Sequence, residues 1–163
     1  MPAMPAETAS TRRLLAVDFG EKRIGLAVSE GTLALPLATL RRTSDSAAVA
    51  AIAELAREQR VAALVVGEPR RLDGSVGDAA RRARAFARKL AGATSLPCTL
   101  VDEALTSRAA EQRLREAGID PRRHPERVDQ VAAQILLEEA LRREASPGAP
   151  PDPQAAHREE GGE

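Results

Sequence analysis

The sequence contains no tryptophan and no tyrosine, and Phe19 and Phe86 are its only aromatic residues among 163. A platform of rings on which bases stack is therefore excluded, and the core must be aliphatic. A single cysteine, Cys98, excludes a disulfide framework and a cysteine-based zinc cluster. His124 and His157 are too few and too far apart for a histidine metal site. Lysine is scarce as well, two residues against 22 arginines, which favours planar, bidentate recognition of phosphate or carboxylate. No apolar run approaches a membrane span. The opening stretch MPAMPAETASTRR lacks the apolar segment of a signal peptide, so a cytoplasmic protein is expected.

The length fits one domain that buries roughly 70% of its unfolded surface, so no staple is required. The net charge of zero argues against a nucleic-acid partner only until its distribution is considered. Residues 144–163 carry five acids and one arginine, whereas the other 143 residues hold 23 basic and 19 acidic side chains. That segregation permits a basic face on the folded part. An acidic solubilising tail on a neutral domain accounts for the same numbers.

Composition divides the chain into three parts. Residues 1–13 read as a disordered lead, 14–143 as the folded domain, and 144–163, rich in proline and acid, as a disordered tail. Within the domain, strands are expected at Leu14–Val17, Ile24–Val28 and Leu33–Leu40, forming an antiparallel meander. Ser44 caps a helix to about Gln59, and Val61–Val66 is a central strand. An arginine-rich helix spans about Asp78–Leu90, and Thr99–Val101 is a further strand. Helices at Thr106–Ala117 and Pro125–Arg143 close the pattern. The order βββαβαβαα describes an α/β protein with a mixed sheet flanked by helices.

Three of these strands end in acid: LLAVD at Asp18, ALVVGE at Glu68, and TLVDE at Asp102 and Glu103. If they run parallel, the acids converge on the carboxyl edge of the sheet, where α/β proteins bind ligands. Clustered carboxylates repel, so one must hold a proton or a cation must bind among them. All-oxygen ligands select a hard cation, Mg2+ or Mn2+. On the last helix, Val128, Val131, Ala132, Ile135 and Leu136 define the expected sheet-facing arc, and Asp129 falls inside it. Glu139 falls on the arc further along. Singly, each acid reads as a turn residue or helix cap; together they read as a metal site.

Carboxylate-bound divalent ions serve phosphodiester hydrolysis, with Asp18 bridging two ions and Glu103 and Asp129 completing their shells. Cations for the phosphate chain are at hand in Lys22, Arg23, Arg70, Arg71, Arg81 and Arg82. Residues 70–90 hold seven basic and two acidic side chains, which suits either a solvated helix face or salt-sensitive phosphate contacts.

The segments LLAVDFGEKRIGLAV (14–28), VVGEPRRLDGS (65–75), LVDEALTSRAAE (100–111) and VDQVAAQILLEEAL (128–141) resemble the YqgF/RuvX family. These are pre-16S rRNA nucleases, also described as Holliday-junction-resolvase-like. The resemblance implies an RNase H-like fold, two-metal hydrolysis, and a role at the 5′ end of 16S rRNA. It also implies Asp18, Glu103 and Asp129 as the catalytic, metal-binding acids. Two departures stand out. The family's Asp-Glu-Arg reads Asp102-Glu103-Ala104 here, which removes a cation. The family's Gly-Leu-Pro reads Gly67-Glu68-Pro69, which adds an acid. Related resolvases carry a metal ligand at the end of this strand, so Glu68 is expected as a supplementary ligand.

Three other readings remain open at this stage. A Holliday-junction resolvase acting on branched DNA would require a homodimer, because one cleft cuts one strand. A non-catalytic RNA-binding ribosome-assembly factor would tolerate the loss at Ala104. An ATPase of the actin and sugar-kinase type shares the DFGEKRIG-like loop, but needs two such domains, and no P-loop or GxGxxG is present.

Overall fold

A computed structural model describes residues 12–69, 77–103 and 106–145. The order of elements is β1 (Leu14–Phe19), β2 (Arg23–Glu30), β3 (Leu33–Arg41), α1 (Asp45–Glu58), β4 (Ala63–Glu68), α2 (Asp78–Thr94), β5 (Cys98–Asp102), α3 (Thr106–Glu116) and α4 (Pro125–Ala145). They form one five-stranded sheet in the order β3-β2-β1-β4-β5. β1, β2 and β3 pair antiparallel, whereas β1, β4 and β5 run parallel. The expected βββαβαβαα pattern is therefore the observed one.

Every residue of β1 is buried, because it is the central strand and helices cover both faces. Side-chain alternation divides the core in two. Leu15, Val17, Phe19, Leu64 and Val66 face one layer, together with Ile52, Phe86 and Leu90 of α1 and α2. Leu14, Ala16, Val65 and Val101 face the other, against Ala133, Leu136, Leu137 and Ala140 of α4. The two aromatic residues meet in the first layer, with Phe19 and Phe86 stacked at 4.3 Å between centroids and the Arg42 guanidinium over Phe19. Ser44 caps α1 by accepting from the Ala47 N–H at 3.1 Å, as its residue type requires.

Several sequence expectations shift. The buried stripe of α4 is Ala132, Ala133, Leu136, Leu137, Ala140 and Leu141, rotated from the expected arc. Val131 and Ile135 are only half-buried, and α3 packs against the helix beside the sheet. The new stripe extends back one turn to Asp129, which places that acid squarely towards the sheet. Glu139 leaves the stripe and pairs with Arg142 and Arg143. Residues just outside 14–143 also make contacts with the fold. Arg13 accepts the Ala62 N–H at 2.8 Å through its carbonyl, and the Arg12 side chain pairs with Glu144. The rest of the expected lead and tail, 1–11 and 146–163, lies outside the described residues. No described helix is long and apolar enough to cross a membrane.

Candidate active site

Parallel pairing brings the ends of β1, β4 and β5 to one edge, but alternation decides which face each acid occupies. Asp18 faces α4, as do Leu14 and Ala16 four and two residues before it. Glu103 follows β5 and turns to the same face, where its carboxyl is hydrogen-bonded to that of Asp18. The Glu103 backbone is fixed on both sides. Its N–H donates to the Glu68 carbonyl at 3.0 Å, and its own carbonyl accepts from the Thr106 hydroxyl at 3.0 Å. Glu103 is thereby tied at once to the end of β4 and the start of α3.

Two glycines make room for this cluster. Gly25 is the cross-strand partner of Asp18, and a Cβ there would lie 2.0 Å from the Asp129 carbonyl oxygen. Gly67 follows Val66, whose partner is Val17, so it sits beside Asp18 on the other side. A Cβ at Gly67 would meet Glu103 Oε2 at 2.6 Å and Leu136 Cδ1 at 2.7 Å. The missing side chains let α4 and the Glu103 carboxyl lie directly on the sheet. Neither glycine was singled out from the sequence, although a glycine inside the apolar run RIGLAV signals a close backbone approach.

Asp129 projects from α4 just past its first turn, so it gains less from the helix dipole than a first-turn acid would. Its Oδ2 accepts from Arg23 Nε at 2.6 Å, with Asp129 the more buried partner. The electrostatics are those of acids crowded out of water. Burial raises the Asp18 pKa, opposed by its hydrogen bond with Glu103. Glu103 is pushed up to about 10 by burial, then by Asp18 and Asp102, so the shared proton belongs to Glu103. Burial also raises Asp129, against the pull of Arg23. Among the described residues no group of three or more acids, histidines or cysteines forms a metal cage. The acids in contact are a pair, with the third beside them and held by an arginine.

Glu68 stands apart from the other acids. The residue lies on the α2 face with Phe19 and Val66, opposite to Asp18 and Glu103, because it is one residue past Gly67. Its carboxylate is 1% exposed and accepts from Arg84 Nη2 at 2.6 Å. The expected supplementary ligand is thus one half of a buried ion pair.

The expected phosphate-binding cations separate likewise. Lys22 is exposed in the turn after β1, and Arg23 is bound to Asp129. Arg81 pairs with Asp78 at 2.7 Å, and Arg82 lies 3.8 Å from Glu21. Arg82 and Arg84 both reach the carboxyl edge, since α2 begins there. Arg70 and Arg71, like Ala104, lie outside the described residues.

The RuvX family, described as Holliday junction resolvase, matches residues 12–143. A "Putative pre-16S rRNA nuclease" of Anaeromyxobacter sp. strain Fw109-5 is 46% identical over 128 residues, spanning 77% of this chain and 93% of that protein. The protein of the same name from Paracoccus denitrificans is 42% identical over 135 residues, 82% of this chain and 85% of its own. Among solved structures, Thermus thermophilus RuvC in complex with a Holliday junction superposes with a TM-score of 0.54 at 16% identity, covering 83% of this chain and 96% of RuvC. That similarity concerns the fold, which is RNase H-like.

Proposed function

This chain belongs to the RuvX family of nucleases, hydrolases of nucleic-acid phosphodiester bonds, and from that membership and the site geometry we propose divalent-metal-dependent cleavage in 5′-end processing of pre-16S rRNA in the cytoplasm. The observation that carries the metal is the contact between the Asp18 and Glu103 carboxyls. Two buried acids share a proton there, on a face where burial raises both. A hard cation held by these carboxyls would take the place of that proton and neutralise the two charges. The donor set, oxygen throughout, fits Mg2+ or Mn2+.

Asp18, Glu103 and Asp129 would hold the metal, while Glu68 stays in its pair with Arg84. When bound, Mg2+ or Mn2+ supplies Lewis acidity at the phosphate and lowers the pKa of attacking water. The protein's part is positioning. Thr106 and the β4 carbonyl fix Glu103, Gly25 and Gly67 admit the carboxyls, and the aliphatic sheet beneath excludes water from one side. Lys22, Arg23, Arg81 and Arg82 would take backbone phosphates through sequence-independent, salt-sensitive contacts, as would Arg70 and Arg71 from their place in the sequence.

The test is Mn2+-dependent cleavage of a 5′-extended 16S precursor fragment and of a four-way DNA junction, with Asp18→Asn as control. Cleavage of the RNA that vanishes in Asp18→Asn supports the proposal. Preferential cutting of the junction supports the branched-DNA reading, which the family description favours. Tight RNA binding without cleavage by the wild type overturns the catalytic reading in favour of a ribosome-assembly factor.

A further inference from the structure

The arginine that holds Asp129 belongs to the strand rather than to the helix, and that separates two functions in one contact. Arg23 opens β2 and faces α4, as does Gly25 two residues on. α4 is seated without its help. The Asp129 backbone lies on Gly25, and the Thr39 hydroxyl donates to the Glu126 carbonyl at 2.7 Å, Thr39 being the cross-strand partner of Gly25. The backbone therefore fixes where Asp129 stands, while Arg23 decides whether its charge is free. The pair is unequal in exposure, with side-chain accessibilities of 38% for Arg23 and 17% for Asp129. The guanidinium is the more open of the two to an anion arriving from solvent.

We propose that Arg23 is a positioning residue that makes the acid site complete only when nucleic acid is present: a backbone phosphate draws the Arg23 guanidinium from Asp129, and the released carboxylate joins Asp18 and Glu103. This rests on the metal-site reading above. It accounts for a site in which two acids touch and the third is neutralised beside them. One guanidinium fork cannot fully serve both anions, so phosphate and Asp129 compete for Arg23. By linkage, whatever takes Arg23 strengthens cation binding, and the effect is reciprocal.

The experiment is a double-mutant cycle on Arg23 and Asp129 with two readouts that need no turnover. Mn2+ binding is measured by calorimetry on the protein alone, and binding of a 20-nucleotide RNA hairpin is measured in EDTA. Arg23→Ala is expected to bind Mn2+ about tenfold more tightly than wild type, the scale of one partly buried charge-assisted contact. Arg23→Lys, which keeps the charge, stays near wild type. Adding Asp129→Ala to Arg23→Ala removes the gain. In the RNA assay, Asp129→Ala tightens binding more in the wild-type background than in Arg23→Ala, because only there is an arginine set free. Equal Mn2+ affinity in wild type and Arg23→Ala, or additive effects on RNA, overturns the proposal. If Asp18→Asn also leaves Mn2+ binding unchanged, the metal-site reading fails with it; if Asp18→Asn abolishes binding, only the role of Arg23 is lost. Melting curves of each variant confirm that the fold is intact.

Discussion

Glu68 and Asp18 end neighbouring parallel strands at the same edge of the sheet, yet their carboxylates lie on opposite faces. One step of side-chain alternation separates a buried ion pair from a metal-site candidate. Glu68 and Arg84 clip α2 to the end of β4 beneath the site, and among the described residues the buried Arg84 Nε has no hydrogen-bond partner.

The clip has a measurable consequence. Arg84→Met removes the guanidinium that faces the buried Glu68 carboxylate and is expected to cost about 3 kcal/mol in denaturant unfolding. Glu68→Leu with Arg84→Met should recover most of that loss, because an apolar pair of similar volume replaces the ions. Glu68→Gln should leave Mn2+ affinity unchanged, and a fall of tenfold or more would return Glu68 to the metal site.

Asp18→Asn should abolish Mn2+-dependent cleavage and make the metal-free protein more stable. Burial disfavours the Asp18 charge, and asparagine removes that desolvation cost without changing volume. The expected gain is roughly 1 kcal/mol at pH 8, read as a raised melting temperature. Unaltered stability together with retained cleavage would remove Asp18 from the site.

The pH dependence follows from the same pair. Both carboxyls have folded-state pKa values above their ordinary ones, so the metal-free native state keeps a proton that the unfolded chain releases. Stability from this pair is fully present below the ordinary value of 4.5 and is lost as pH rises towards about 10, where Glu103 ionises. A cation displaces that proton, so Mn2+ should raise the melting temperature more at pH 8 than at pH 5.5. Differential scanning fluorimetry at the two pH values checks this, and an equal rise at both contradicts it.

Gly25→Ala should harm the site from beneath. The new methyl would occupy the place of the Asp129 backbone, and α4 must move away from β2. A loss of about 2 kcal/mol in stability, accompanied by weaker Mn2+ binding, is expected. Stability lost with Mn2+ affinity intact would show that Asp129 needs no such close seat.

Much of this was legible in the chain itself. Period-two apolar runs and the turn at Glu30–Gly31 placed β1 to β3, Ser44 marked the start of α1, and acids at the ends of apolar runs pointed to the carboxyl edge. Local patterns carry that information because strand pairing and caps are short-range choices. The rotation of α4 was less legible, since alanines and leucines surround most of its circumference and the packing of α3 selects the buried stripe. What only the tertiary structure decided is which acids meet. Asp18 and Glu103 meet on one face and Glu68 lies on the other, because register and alternation between strands distant in sequence set the faces. The partners Arg23 for Asp129 and Arg84 for Glu68 were fixed in the same way, by long-range packing that brings a side chain of one element against the charge of another.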